Sequence, residues 1–194
     1  IKKAIVHIYN STSTLQRDVV FHKDMEEIKD IAVIGTKLVQ RYAAECDTQV
    51  RLEYSPESFT GTELEFALDI CTAVQETWGA TKEKPIIINL PSTVEMTTPN
   101  VYADQIEWMH THFKNRESII LSVHPHNDRG EGVAGADEPY VTRARRSKAG
   151  QGRGDGLGAP TRGAIRREKK RMNQSEADET ERASAAQKDK KMRR

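Results

Sequence analysis

The chain has 194 residues, of which 36% are hydrophobic, and its formal net charge is +1 at pH 7. This length suits one domain of ordinary size, and no apolar run reaches the roughly 20 residues that a membrane-spanning helix needs. No signal peptide is recognisable, and Cys46 and Cys71 lack the spacing of a metal or redox motif. The composition excludes a membrane protein and predicts a cytoplasmic protein with reduced cysteines.

Charge is distributed unevenly along the chain. Residues 1–142 carry 13 Lys and Arg against 22 Asp and Glu, whereas residues 143–194 carry 17 against 7 and contain no aromatic residue. Such a basic segment buries too little apolar surface to offset the entropy of ordering it. We therefore predict a folded domain over residues 1–142 and a disordered basic tail over residues 143–194. The abrupt change favours a shifted reading frame or an unrelated fusion as the origin of the tail.

Within the predicted domain, runs of strand length alternate with stretches of helical period. The strand-like runs, rich in β-branched residues, are 2–9, 49–55, 85–91 and 118–124. Three helices are predicted between them. Their apolar faces consist of Ile28, Ala32, Gly35, Leu38, Val39 and Tyr42 in the first, Ala67, Ile70, Cys71, Val74 and Trp78 in the second, and Tyr102, Ile106, Met109 and Phe113 in the third.

The starts of two helices carry recognisable signals. Thr62 and Glu65 have the spacing of a capping box for the second helix. Thr98 before Pro99 provides an N-cap followed by proline at the first helical position of the third helix.

The element order β-α-β-α-β-α-β predicts parallel strands joined by right-handed crossovers, as in a doubly wound sheet or a (β/α)8 barrel. Polar or turn residues follow the strands at His7, Tyr9, Ser55, Glu57, Pro91, Thr93, His124 and His126. In a barrel these strand ends converge on one mouth, whereas a doubly wound sheet usually has a Gly-rich first turn, which this sequence lacks. We therefore predict an α/β fold, a partial (β/α)8 TIM barrel of about four consecutive βα units.

The stretch LSVHPHNDRG places two histidines one residue apart after an apolar run. Residues i and i+2 of a strand share a face, so His124 and His126 can present two imidazoles to one point. Two neutral imidazoles form half of a divalent metal site. Alternatively, one histidine packs in the core and the other precedes a helix that Asn127 or Asp128 caps.

Three other polar residues also have two interpretations. Glu57 is placed to bind a metal, orient a substrate or accept a proton, or is a loop carboxylate near a helix start. Thr93 donates a hydrogen bond to an anionic substrate group or caps a turn. His7, expected at the end of a buried strand, needs either a hydrogen-bond partner or a role in chemistry.

Longer segments are more distinctive: HIYNSTSTLQRDVVF, EYSPESFTGTELEFALDICTAV, INLPSTVEMTTPNVYADQIEWM and RESIILSVHPHNDRG. Over residues 1 to about 130 they resemble the catalytic barrel of the α-isopropylmalate synthase (2-isopropylmalate synthase) family. This resemblance implies a Claisen-type condensation of acetyl-CoA with 2-oxoisovalerate (3-methyl-2-oxobutanoate), followed by thioester hydrolysis that releases 2-isopropylmalate and CoA, in leucine biosynthesis. It also implies a homodimer for the full-length protein.

The resemblance assigns roles to particular residues. His124 and His126 would be ligands of a divalent metal, Mg²⁺, Mn²⁺ or Zn²⁺, that polarises the keto group. Glu57 and His7 would be the catalytic side chains, with Glu57 beside the reacting carbons. The substrate pocket would be lined by Tyr9, Ser55, Pro91 and Thr93, with Thr93 on the substrate carboxylate.

The sequence departs from the family in two places, which leaves other functions open. An Arg-Asp pair that supplies a metal ligand is expected upstream of Ile1, and the Gly-rich segment expected after Gly130 is missing. We therefore expect this chain to lack part of the site and to be inactive on its own. The alternatives are a related citramalate or homocitrate synthase, or a non-catalytic fragment that binds nucleic acid through its tail. The second is disfavoured because the tail has no aromatic side chains for base stacking.

Overall fold

A computed structural model describes residues 1–139, so the predicted tail and its boundary at residue 143 lie outside the described residues. The described part contains one sheet of four parallel strands in the order β1-β2-β3-β4. These strands are β1 (Lys3–Ser11), β2 (Gln49–Glu57), β3 (Ile86–Ser92) and β4 (Ile119–Pro125). The predicted α/β fold with parallel strands and intervening helices is confirmed.

Helices connect successive strands. They are α1 (Thr14–Gln16), α2 (Met25–Ala44), α3 (Leu64–Trp78) and α4 (Pro99–His112), and residues 132–139 are also helical. Within residues 1–139, no helix combines the length and the apolar character needed to cross a membrane.

The predicted start of α4 is confirmed, whereas the predicted start of α3 was wrong. Thr98 is the N-cap of α4 and Pro99 follows it, as expected. The capping box at Thr62 and Glu65 was wrong, because the N-cap of α3 is Glu63. The Thr62 hydroxyl instead lies 3.0 Å from the Ser58 carbonyl oxygen and 2.8 Å from the Thr12 hydroxyl. A capping box does form at α2, between Asp24 and Glu27.

The helices cover one face of the sheet, and the core lies between the two layers. Alternate residues of the strands point into this layer, including Leu52, Tyr54, Ile86, Ile88 and Leu90, none of which is accessible to solvent. The predicted apolar faces of α3 and α4 are both buried, as expected.

The predicted face of α2 was partly wrong. Ile28 and Ala32 are buried, but Leu38 and Tyr42 are exposed by 47% and 57%. Thr36 is buried in their place, and its hydroxyl donates to the Ala32 carbonyl at 2.8 Å, which satisfies it inside the helix.

The expectation that His7 ends a buried strand was also wrong. β1 runs on to Ser11, so His7 lies in its middle and Tyr9 lies two residues before its end. Residues of β1 alternate between exposed and half-buried up to Tyr9, because helices cover only one face of this strand.

Candidate functional site

The predicted site residues of the four strands lie on the sheet face that points away from the helices. Strand pairing sets Tyr9 beside Ser55, and Pro91 beside His124. Because side chains alternate along a strand, these residues and His7 project from this same face. The alternation thus separates the polar set from the core.

A hydrogen-bonded row crosses the first three strands. Nε2 of His7 lies 2.8 Å from the Ser55 hydroxyl, and the side-chain amide of Asn89 donates to the same hydroxyl at 2.8 Å. Ser55 and Asn89 are almost fully buried, whereas His7 is exposed. Tyr9 is 67% exposed, and its ring centre lies 5.7 Å from that of His7. The buried pair therefore orients an accessible imidazole.

A second hydrogen bond joins the end of β2 to the loop after β3. The Thr93 hydroxyl donates to Oε1 of Glu57 at 2.8 Å, and both side chains are partly accessible. The strand end is held by the backbone N–H of Thr12, which donates to the Glu57 carbonyl at 3.0 Å. Glu57 and Thr93 are thus directly linked in the structure.

The rings of His124, in β4, and His126, directly after it, lie close together. Their ring centres are 5.0 Å apart and the ring planes are inclined by 49°. The His124 N–H donates to the Tyr102 hydroxyl at 3.3 Å, and the His126 N–H donates to the Ser92 carbonyl at 3.4 Å. The pair is therefore tied to both β3 and α4.

The donor set of this pair fits part of a divalent metal site. Ring centres about 5 Å apart suit two imidazoles that share one ion through bonds of about 2.1 Å. Within residues 1–139, however, no three His, Cys, Asp or Glu side chains group as metal ligands do. The two histidines could thus supply two ligands of such a site.

The backbone N–H of Val94 donates to Nδ1 of His126 at 3.2 Å, and the Asp128 carboxylate lies 3.6 Å from the same nitrogen. A backbone N–H can only donate, so the neutral ring carries its proton on Nε2. An ion at Nδ1 would replace this hydrogen bond, whereas an ion at Nε2 would require the Val94 N–H to turn away.

The capping alternative for this segment is also partly visible. The side-chain oxygen of Asn127 accepts a hydrogen bond from the Gly132 N–H at 3.0 Å, at the start of the helical residues 132–139. Asn127 therefore stabilises the following helix, and this does not conflict with a ligand role for the histidines.

Sequence reasoning missed three buried polar residues near the site: Asn89, Glu95 and Tyr102. The Tyr102 hydroxyl donates to the Leu90 carbonyl, and burial raises the pKa of this phenol, which keeps it protonated as a donor. Tyr102 was expected only as a core residue, because helical spacing says nothing about where a hydroxyl points. The segment TVEMTTPN indicates a loop, and a loop pattern does not tell whether the Glu95 carboxylate is buried or exposed.

The loop after β1 is fixed at the same end of the sheet. The Arg17 guanidinium binds both oxygens of Glu63, at 2.8 and 2.9 Å, and donates to the Thr12 carbonyl. Arg17 is 5% exposed, and its guanidinium lies 5.0 Å from the centre of the Phe66 ring. Burial disfavours the charged Glu63, but the Arg17 hydrogen bonds outweigh it and lower the pKa of this carboxyl. This ion pair connects β1 to α3.

Parallel βα units with polar side chains at the carboxyl ends of the strands define an enzyme domain of the TIM-barrel class. The HMGL-like family model matches residues 1–146, and the chain belongs to this TIM-barrel family. Similar curated proteins named 2-isopropylmalate synthase come from Kocuria rhizophila (60% identity over 144 residues), Pseudarthrobacter chlorophenolicus (58% over 146) and Agrobacterium fabrum (57% over 144).

The alignments cover 74% or 75% of this chain and 25% or 26% of those relatives, so the chain spans about a quarter of their length. The resemblance predicted from the sequence is confirmed by these identities.

Proposed function

We propose that this chain forms part of the catalytic barrel of an acyltransferase that condenses acetyl-CoA with 2-oxoisovalerate, after which water hydrolyses the thioester and releases 2-isopropylmalate and CoA. One observation carries the proposal: the Thr93–Glu57 hydrogen bond of 2.8 Å lies at the same end of the sheet as the paired rings of His124 and His126. A carboxylate base at the end of β2 and two imidazole ligands at the end of β4, on either side of β3, suit the removal of a proton from one substrate beside a polarised carbonyl group of the other. A cytoplasmic location and a homodimer of the full-length protein are parts of this proposal.

Each group has a distinct task in this reaction. Glu57 would accept the proton from the acetyl methyl group. His7, oriented by Ser55, would donate a hydrogen bond or a proton to the thioester oxygen. A divalent ion held by His124 and His126 would polarise the keto group of the 2-oxo acid. Pro91 and Tyr9 would form walls of the pocket.

Thr93 can serve only one acceptor at a time, because its hydroxyl has a single proton. In the structure it donates to Glu57. If it turns to the substrate carboxylate, Oε1 of Glu57 loses this donor and can face the acetyl methyl group. Binding of the 2-oxo acid would thereby release Glu57 from Thr93.

The test is 2-oxoisovalerate-dependent release of CoA thiol from acetyl-CoA by the full chain with Mg²⁺ or Mn²⁺. Any release should disappear in Glu57→Gln and His124→Ala and persist in His22→Asn, a histidine at a loop position with φ 51° that asparagine tolerates. Thiol release that persists in His124→Ala would contradict the proposal, whereas no release by a folded chain would mean that it holds the histidine pair and the pocket without the ligands needed to use them.

A panel of 2-oxo acids separates this reaction from related ones. Preference for 2-oxoisovalerate supports the 2-isopropylmalate synthase type. Preference for pyruvate would instead indicate a citramalate synthase, and preference for 2-oxoglutarate a homocitrate synthase.

A further inference from the structure

Glu95 is a buried carboxylate to which the proposed reaction gives no task. It is 4% exposed and lies in the short turn after β3. Glu95 and Val94 both have left-handed backbone conformations, with φ of 47° and 51°. This region is unfavourable for a β-branched residue such as valine, so the contacts around the turn must hold it in place.

The contacts of Glu95 cross to the loop after β4. One carboxylate oxygen accepts the backbone N–H of Glu131 at 3.0 Å, and the other accepts the backbone N–H of Arg129. The Arg129 side chain returns to the turn and donates to the Thr97 carbonyl at 2.9 Å. Both oxygens of Glu95 therefore face N–H donors, which makes this residue an anchor for a loop and unsuitable as a metal ligand.

The same turn also contacts His126. The Val94 N–H donates to the His126 ring at 3.2 Å, and the Ser92 carbonyl accepts the His126 N–H at 3.4 Å. The loop that Glu95 anchors begins directly after β4, at His126. His126 is thus held from the turn on one side and by its anchored loop on the other.

We propose that Glu95 is a positioning residue, whose hydrogen bonds to Arg129 and Glu131 set the loop after β4 and thereby fix the His126 ring beside His124. Its effect on metal binding rests on the proposed function, whereas its effect on the loop and on the His126 ring does not. Glutamine at this position keeps one acceptor oxygen but directs an NH₂ group at a backbone N–H, so one of the two hydrogen bonds must be lost.

The test uses the isotopically labelled full chain and NMR, with Glu95→Gln as the variant. Glu83→Gln is the matched control, because it makes the same chemical change at an exposed carboxylate. In Glu95→Gln, amide exchange at Arg129 or Glu131 should accelerate at least about tenfold. The His126 ring signals should shift while the Trp78 indole signal, from the core, stays in place. An ion must displace the Val94 N–H from the His126 ring, so its binding depends on the His126 backbone that the loop fixes. Mn²⁺ affinity should therefore fall about 10- to 100-fold, with His124→Ala as the reference for lost binding.

Each result supports or overturns the proposal. Unchanged amide exchange at both residues, or an unchanged His126 signal despite faster exchange, overturns it. If the unaltered chain binds no Mn²⁺, the metal-dependent function fails for this chain, and the NMR signals still decide the role of Glu95. If Glu95→Gln loses the Trp78 signal and is unfolded, Glu95→Asp replaces it, since aspartate keeps the charge and shortens the side chain by one methylene. The same amide signals must then move, and unmoved signals overturn the proposal.

Discussion

The buried polar side chains around the site each satisfy a backbone or side-chain group that would otherwise be unpaired. Asn89 binds Ser55, Tyr102 binds the Leu90 carbonyl, and Glu95 binds two backbone N–H groups. Removing one partner of a buried hydrogen bond costs more than the bond contributes, because the other partner is left desolvated. These residues should therefore affect stability as well as the geometry of the site.

Tyr102→Phe tests the contribution of one buried hydroxyl group to stability. The substitution removes the donor to the Leu90 carbonyl and the acceptor of the His124 N–H, and should lower the free energy of unfolding by about 1 to 2 kcal/mol. Urea denaturation measures the change. Tyr42→Phe is the control, because Tyr42 is 57% exposed and should show little effect. Equal stability of both variants would contradict a structural role for the Tyr102 hydroxyl.

Glu63 makes stability depend on pH. Its pKa is lowered in the folded chain from the usual 4.5, so the stability it contributes is complete above pH 4.5 and is lost as pH falls through the lower folded pKa. The stability difference between the unaltered chain and Glu63→Gln should be largest near neutral pH and should shrink at about pH 3. Urea midpoints across this range measure it, and a difference that does not vary with pH would contradict the assignment.

At the scale of elements, the loop between β1 and α2 depends on a buried charge. Arg17 is nearly inaccessible and binds Glu63 through two nitrogens, while its guanidinium lies over the Phe66 ring. Losing one partner leaves the other charge without compensation in a partly buried place. Loss of either Arg17 or Glu63 should therefore weaken the attachment of the loop after β1 to the start of α3.

Arg17→Met should destabilise the chain by about 3 kcal/mol, because methionine keeps the packing and removes the charge. The matched change Lys23→Met breaks the exposed pair with Glu27 and should cost far less. Thermal or urea unfolding compares the two. If both substitutions cost the same, the Arg17 ion pair does not stabilise this loop.

Elements differ in how far the sequence predicted them. The faces of α3 and α4 follow from helical spacing, because each helix has a single apolar side and that side meets the sheet. α2 has apolar residues on two sides, so hydropathy could not tell which side packs, and Thr36 was overlooked as polar. Asn89 and Glu95 were missed for a different reason. Their hydrogen-bond partners come from other strands or loops, and a sequence pattern does not show contacts between residues that are far apart in the chain.

For the whole described region, the exposed side of α2 is the feature most relevant to behaviour in solution. Ile34 and Leu38 are exposed by 58% and 47%, and their i,i+4 spacing places them on one face. Together with the exposed Ile31 and Tyr42 they form an apolar stripe along the helix. Contiguous apolar surface of this kind promotes association between molecules.

We therefore expect the purified chain to self-associate, as measured by sedimentation velocity. The double substitution Ile34→Glu and Leu38→Lys should shift the population toward monomer, since it removes apolar surface and adds a favourable helical ion pair. Lys37→Glu changes a charge on the same helix without removing apolar surface, and should leave association unchanged. A monomeric unaltered chain at all concentrations would contradict this expectation.

The alternation of side chains in the sheet limits which deletions within a strand the protein can tolerate. In each strand, neighbouring residues serve different purposes: Tyr54 faces the core and Ser55 the site, as do Leu90 and Pro91. Deleting one codon within a strand would exchange the two sets, turning polar groups toward the helices and apolar ones toward solvent. Deleting two codons would preserve the facing. Changes in strand length should therefore be tolerated only in even steps, whereas surface loops between the strands can change by any number of residues.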